Sequence, residues 1–366
     1  MTTHVFIVNE GTFPAHLEYM FAGTSSGKQD TNIALLADIK RVRSGDKVIF
    51  YFEGVGFYGI FRIQDNKTSN GRHVIYYDKD NYCNGDLKRK LLYRVLIEPD
   101  EVYPNPVSEW DALEKLPANP RDIIWSLIYR KLKAGRGCSP VTPKESDKLI
   151  KLIRENNTGQ IRDVSNLTWR GGKIVSISEM RKQYDTSQAT QVIIDDMLFA
   201  KRRIEAYLQA YFTENAGNPN LDNSVFAEIC GKSDEIIWLG NEFYCGVGMQ
   251  KIDVFTITNH RKKQFRVIEL KTAIDLGIHK QLERYVKWCR EYLDETNQEN
   301  LQPIIVIPEP DSSKPSAPEL LAVSELRTKI LPSFNREFQA QCQPVKYYEF
   351  SFINKKIRFN AVNYEH

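Results

Sequence analysis

The run Lys251-Ile252-Asp253-Val254-Phe255, followed by Val267-Ile268-Glu269-Leu270-Lys271-Thr272 and then Lys280-Gln281-Leu282-Glu283-Arg284-Tyr285, decides the reading of the second half of this chain. Val267 to Lys271 alternates apolar and polar residues with the period of a half-buried strand, so Glu269 and Lys271 leave one face together. Asp253 lies in an earlier β-rich run, and the polar stretch from Thr258 to Gln264 reads as the hairpin turn between the two. The turn sets Asp253 beside Glu269. Two carboxylates at that separation suit Mg²⁺ or Mn²⁺, with the Leu270 carbonyl as a third oxygen ligand. Such an ion neutralises a phosphate and acidifies a bound water, while Lys271 orients that water or stabilises developing charge. Downstream, Gln281, Leu282, Tyr285, Val286, Cys289 and Tyr292 follow helical spacing, which places Gln281 on the packed side of a helix near its start.

At these residues the chain resembles the PD-(D/E)xK nuclease superfamily, and within it the RecB-like branch that includes mismatch-cleaving endonucleases. The resemblance runs from about Ile204 to Pro308 and rests on Glu205 in Arg203-Ile204-Glu205-Ala206, Asp253 in Gln250-Lys251-Ile252-Asp253, Glu269 and Lys271 in Ile268-Glu269-Leu270-Lys271, and Gln281. It implies that Asp253 and Glu269 bind metal, that Lys271 is catalytic, that Glu205 assists from a helix and that Gln281 lies beside the site. Ile252 stands where the family often has Pro or Gly before the aspartate.

Outward from this site, a helix is expected over about Gln191–Phe212, with Ile193, Met197, Ala200, Ile204, Tyr207, Leu208 and Tyr211 on its apolar side. Leu301–Pro308 reads as a buried strand, and Tyr347–Phe359 as a closing strand pair. The expected architecture is α/β, with a mixed-sheet nuclease domain over residues 195–366 and a connector over 158–194 holding one short strand at Lys173–Ile177.

Residues 1–157 read differently. Val5–Val8, Lys47–Phe52, Phe57–Ile63, Val74–Tyr77 and Leu91–Ile97 are β-type runs punctuated by Gly45-Asp46, Gly54 and Gly71, which argues a small bent sheet or barrel. Helices are expected around Leu35–Val42 and after Thr142-Pro143-Lys144-Glu145, which has the form of a capping box. The pieces Leu36 to Tyr51 and Phe57 to Ile63 look like the PUA-like folds of the EVE and YTH type, as does the closing stretch Ile128 to Ile153. That resemblance implies a pocket holding a flipped, often modified base by stacking and edge hydrogen bonds. Trp125, Phe57 and Tyr58 are the candidate walls, and Asn9, Thr12 and Ser126 the polar readers. Arg130, Lys131, Lys133 and Arg136, spaced by Gly135 and Gly137, form the candidate phosphate-contacting cluster.

Composition bounds the rest. At 366 residues and 42% hydrophobic, the chain has material for two cores. Its net charge of +3 does not by itself mark a nucleic-acid binder. Six cysteines without a CxxC pair argue against a zinc site and against a disulfide framework. The N-terminus lacks a basic leader, and no apolar run approaches the roughly 18 residues of a membrane helix, so a cytoplasmic location is expected.

Together these readings give a Mg²⁺- or Mn²⁺-dependent endonuclease of double-stranded DNA whose first domain captures a modified base, as a modification-dependent restriction enzyme would. Cutting both strands with one site per chain calls for a homodimer. The rivals are a repair nuclease that recognises mismatches or branches, a sequence-specific restriction enzyme, and an RNA-binding protein with an inactive nuclease domain.

Overall fold

The structure is a computed structural model that describes residues 1–24, 29–65, 76–78, 91–128, 137–179, 182, 184, 189–190, 194–246, 250–310 and 318–364. The chain divides into two compact units, Met1–Val192 and Ile193–His366, both mixed α/β.

In the first unit the order is β1 (Thr3–Val8), α1 (Phe13–Tyr19), β2 (Phe21–Thr24), α2 (Gln29–Lys40), β3 (Lys47–Phe52), β4 (Gly56–Ile63), β5 (Tyr76–Asp78), β6 (Tyr93–Pro99), β7 (Val107–Ser108), β8 (Cys138–Val141), α3 (Pro143–Glu155), β9 (Leu167–Arg170), β10 (Lys173–Ser176) and β11 (Ala189–Thr190). The main sheet runs β11-β5-β6-β4-β3-β1-β8, with β2 on β6 and β7 on β4, and forms a half-barrel. Among the described residues of this unit only β1 and β3 are paired in parallel, and the Gly45-Asp46 turn delivers the chain into β3 after α2. Gly45 has φ +82, and the Asp46 carboxylate accepts from the Thr2 and Arg43 amides and bonds the His4 ring. Glycine is also required at Gly56, where a Cβ would stand 1.9 Å from the Val107 carbonyl and block the β4–β7 pairing.

Strand alternation splits the apolar residues between two cores. Ile49, Tyr51, Phe57 and Ile60 pack with Leu149, Ile150 and Ile153 of α3, whose start is the expected capping box between Thr142 and Glu145. On the opposite face Phe50 and Tyr58 each lie 5.2 Å from Phe13 of α1, and Phe52 stacks on Trp169 at 4.8 Å.

Residues 167–176, read from sequence as part of a connector, belong to the first unit. They form the β9–β10 hairpin, turned by Gly171 and Gly172 at positive φ. It is tied down by Thr168 donating to Glu18 at 2.8 Å and Tyr58 donating to the Gly172 carbonyl at 2.7 Å.

The second unit contains α4 (Ile194–Ala200), α5 (Glu205–Asn215), α6 (Val225–Cys230), β12 (Ile236–Tyr244), β13 (Lys251–Asn259), β14 (Lys263–Leu270), α7 (Ile278–Tyr292), β15 (Leu301–Pro308), α8 (Pro318–Glu325), α9 (Leu331–Phe338), β16 (Lys346–Ile353) and β17 (Lys356–Ala361). Its sheet order follows the sequence from β12 to β17. The pairs β12–β13, β13–β14 and β16–β17 are antiparallel, while β14–β15 and β15–β16 are parallel. Helix α7 is the crossover between β14 and β15, as parallel neighbours require.

The single helix expected over Gln191–Phe212 is broken, since Lys201–Ile204 leave helical geometry and Ile204 is extended at φ −102, ψ 109. Three adjacent cations, Lys201, Arg202 and Arg203, follow the C-terminal end of α4, where the helix dipole favours positive charge. The break makes Glu205 the first residue of α5, at the positive end of that helix. Among the described residues no helix is long and apolar enough to cross a membrane, and the five described cysteines are all buried thiols.

Candidate active site

The β13–β14 hairpin turns at His260–Lys262 and pairs Val254 with Ile268, a register that places Asp253 across from Glu269. Asp253 Oδ2 accepts from the Leu270 amide at 2.8 Å, which fixes that carboxylate at the end of the paired region. Glu269 is 1% exposed, and its Oε1 lies 2.5 Å from Lys271 Nζ. Lys271 continues past β14 with its amide held by the Val306 carbonyl at 2.9 Å, and its ammonium also lies 3.8 Å from Glu205. Thr272 donates to the Arg203 carbonyl at 3.1 Å, linking the end of β14 to the break that precedes Glu205. Asp253, Glu269, Lys271 and Glu205 thus come together from two strands and a helix start.

Three carboxylates face one ammonium here. Burial raises Asp253 well above the ordinary carboxylate range, and the charges of Glu269 and Glu205 push the same way. Glu269 and Glu205 are likewise raised by burial, with Lys271 opposing in both. For Lys271 burial disfavours the charge, but Glu269, Asp253 and Glu205 outweigh it and hold the ammonium above its ordinary value. Without a further cation, this cluster resists full ionisation.

Gln281 lies in the first turn of α7, and its Oε1 is buried without a hydrogen-bond partner. Tyr285, one turn further on the same helix face, is adjacent to Glu269 and donates to the Lys251 carbonyl at 2.5 Å. Gln281 is therefore on the side of α7 that faces the hairpin.

Among the described residues no three His, Cys, Asp or Glu side chains converge at metal-coordinating spacing. Asp253, Glu269 and the Leu270 carbonyl nevertheless fit a hard divalent ion in chemistry. All three are oxygen donors, carboxylates outnumber ammonium groups, and Glu269 Oε2 is buried with no hydrogen-bond partner.

Sequence reasoning missed Gln209. It is buried on α5, and its Nε2 donates to the Asp253 carbonyl at 3.1 Å and to Glu242 at 3.3 Å, while its Oε1 accepts from Asn241 at 3.3 Å. The available signal was its position one helical turn after Glu205. Glu242, paired with Lys251 on the neighbouring strand, was missed too.

In the first unit the base-reading candidates scatter. Phe57 and Tyr58 are both fully buried, and as consecutive strand residues they point into opposite cores, so they do not wall one pocket. Ser126 is no open reader: its hydroxyl and amide both bond the Glu145 carboxylate of the α3 cap. Asn9 and Thr12 bond one another, and Asn9 Oδ1 accepts from the Gly11 amide, in the turn that starts α1. Trp125 is half-buried, with its indole N–H donating to the Pro120 carbonyl at 3.2 Å. Arg130, Lys131, Lys133 and Arg136 lie outside the described residues.

No protein-family model and no curated protein matches the chain. Solved structures that resemble it include a crystal structure of a Pseudomonas putida protein, at 15% identity over 41% of this chain and 98% of that one, TM-score 0.28. An NMR structure from Rhodopseudomonas palustris aligns at 17% identity over 42% and 94%, TM-score 0.27. A crystal structure from Pseudomonas syringae aligns at 14% identity over 41% and 98%, TM-score 0.29. At those TM-scores the likeness adds nothing to the reading of the site.

Proposed function

We propose that the second unit is a metal-dependent nuclease that hydrolyses phosphodiester bonds in double-stranded DNA, and that the first is a PUA-like module reading a modified base. The observation that carries the nuclease reading is the meeting of Asp253, Glu269, Glu205 and Lys271, with the buried Glu269 oxygen lacking a donor. Asp253, Glu269 and the Leu270 carbonyl would hold Mg²⁺ or Mn²⁺. When bound, such an ion supplies neutralisation of the scissile phosphate and a water of lowered pKa.

The chain's own groups do the positioning. Lys271, fixed by Glu269 and by its backbone bond to β15, presents an ammonium where charge develops on the phosphate. Gln281 offers an uncharged oxygen that orients an attacking water, and Glu205 tunes Lys271 from the helix start. Two such sites in a homodimer cut two strands. The base-reading role of the first unit rests on its half-barrel and on Trp125.

The test is incubation of the protein with Mg²⁺ or Mn²⁺ on matched plasmids, unmodified and carrying methylated, hydroxymethylated or glucosylated cytosine, with Lys271→Ala as control. Cutting of one modified DNA, lost in the variant, is the expected result. Equal cutting of all plasmids moves the function to repair or sequence-specific cleavage, and RNA binding without cutting ends the nuclease reading.

A further inference from the structure

We propose that Lys251 binds a nucleic-acid phosphate next to the one cut at the site, and that Glu242 occupies its ammonium until that phosphate arrives. The proposal rests on the nuclease reading above.

Lys251 and Asp253 are two apart on β13, so both side chains leave the same face of the strand. The Lys251 backbone is anchored, because its carbonyl accepts from the Tyr285 hydroxyl on α7. Its side chain remains about one-third exposed, with the ammonium against the Glu242 carboxylate and 5.6 Å from the centre of the Tyr244 ring. A fixed root with a solvent-reaching point charge suits one phosphate oxygen.

Glu242 is the unusual partner. It stands opposite Asp253 in the β12–β13 register, and it adopts φ +47 in the middle of a strand, a left-handed conformation that side chains other than glycine rarely take. Gln209 and Lys251 both hold its carboxylate there. An ordinary surface ion pair needs no such backbone, and non-glycine outliers of this kind collect at working sites. The conformation aims a carboxylate at Lys251, and a phosphate held at high local concentration by a seated polynucleotide competes with it for the ammonium. A polynucleotide already seated with one phosphate at Asp253 and Lys271 brings its neighbouring phosphate to this face of the strand.

The experiment compares full-length wild type, Lys251→Ala, Lys251→Arg and Glu242→Gln. Cleavage kinetics are read in Mg²⁺, and binding of a short labelled duplex is read in Ca²⁺ over a range of salt. Lys251→Ala is expected to raise KM for DNA about tenfold, with the loss falling on KM rather than kcat, and to flatten the logarithmic salt slope by about one. Lys251→Arg restores most of both, and Glu242→Gln lowers KM about threefold because the ammonium is released. Should Lys251→Ala not fold, the lowered KM of Glu242→Gln carries the test. Equal small losses from both single variants, with an unchanged salt slope, overturn the proposal and leave a structural ion pair. Wild type that cuts normally while Lys251→Ala keeps its KM overturns this inference alone. Wild type that neither binds nor cuts DNA overturns the nuclease reading with it.

Discussion

Gln209 donates to the backbone carbonyl of Asp253 across 3.1 Å, so the helix that carries Glu205 is fastened to β13 at the residue that carries a candidate metal ligand. The same amide reaches Glu242 and Asn241, and it is buried. Gln209→Ala would remove the bonds from this amide to the Asp253 carbonyl and Glu242 and the one it accepts from Asn241, and would cost about 1–3 kcal/mol in urea unfolding. It would also lower kcat by about tenfold or more through misplacement of Asp253 and Glu205. A variant that loses the stability but turns over at the wild-type rate would show that Gln209 only packs.

Asp253 carries the opposite sign for stability. Its carboxylate is raised by burial and by two neighbouring carboxylates, so ionising it costs folding energy when no ion is bound. Asp253→Asn should raise the metal-free Tm by a few degrees while lowering cleavage by about 10³-fold. Adding Mg²⁺ should lift the Tm of wild type and leave the variant unmoved. Paired melts in EDTA and in Mg²⁺ decide this, and a variant whose Tm falls in EDTA would mean that the carboxylate is structural.

The hairpin holding Asp253 and Glu269 was legible because period-two alternation and a polar turn act over a few residues, without help from the rest of the fold. Lys47–Phe52 and Leu301–Pro308 were legible by another local signal, a short run rich in β-branched and aromatic residues, and both strands have those bounds. The break at Lys201–Ile204 was not, because Ile193, Met197, Ala200, Ile204, Tyr207 and Tyr211 keep helical spacing across it. Only the structure shows Ile204 at 40% exposure, off the core. The β9–β10 hairpin did carry a local signal in Gly171-Gly172, whose positive φ values suit a tight turn, but its anchor on Phe52 is a long-range contact. Gln209 was invisible for a different reason: a single amide has no periodicity of its own, and its helix is buried from Leu208 to Thr213 on every side.

Phe57 and Trp125 should separate cleanly on substitution. Phe57 is fully buried in the core with α3, so Phe57→Ala should cost about 3–5 kcal/mol and lower the Tm of the first unit. Trp125 is half-buried, and Trp125→Ala should cost far less stability while reducing discrimination between modified and plain duplex. Competition binding with the two DNAs reads the difference. Unchanged discrimination in a folded Trp125→Ala protein removes Trp125 from the reader.

The first unit should weaken on mild acidification, through His4. That ring is completely buried; its Nε2 lies 2.8 Å from Asp46 Oδ2, and its Nδ1 has no hydrogen-bond partner. Burial lowers the His4 pKa below its ordinary value of 6.5, with Arg41 and Arg43 pushing the same way and Asp46 opposing. For Asp46 burial works upward, but its bonds from His4, Thr2 and Arg43 outweigh it and leave the carboxyl below its ordinary value of 3.8. Both shifts have one sign. The unfolded chain binds each proton more readily than the folded one, so stability is complete above the ordinary histidine value. It falls as pH drops below that value, and again below the ordinary aspartate value. Between pH of about 7.5 and about 5.5 only the histidine step is crossed, so any loss of stability in that window belongs to His4. Hydrogen exchange at the β1 and β3 amides reports this unit separately from the other. Faster exchange at the lower pH, after correction for the intrinsic rate, is expected in wild type and absent in His4→Gln. An identical pH response in both proteins would assign the acid sensitivity to another group.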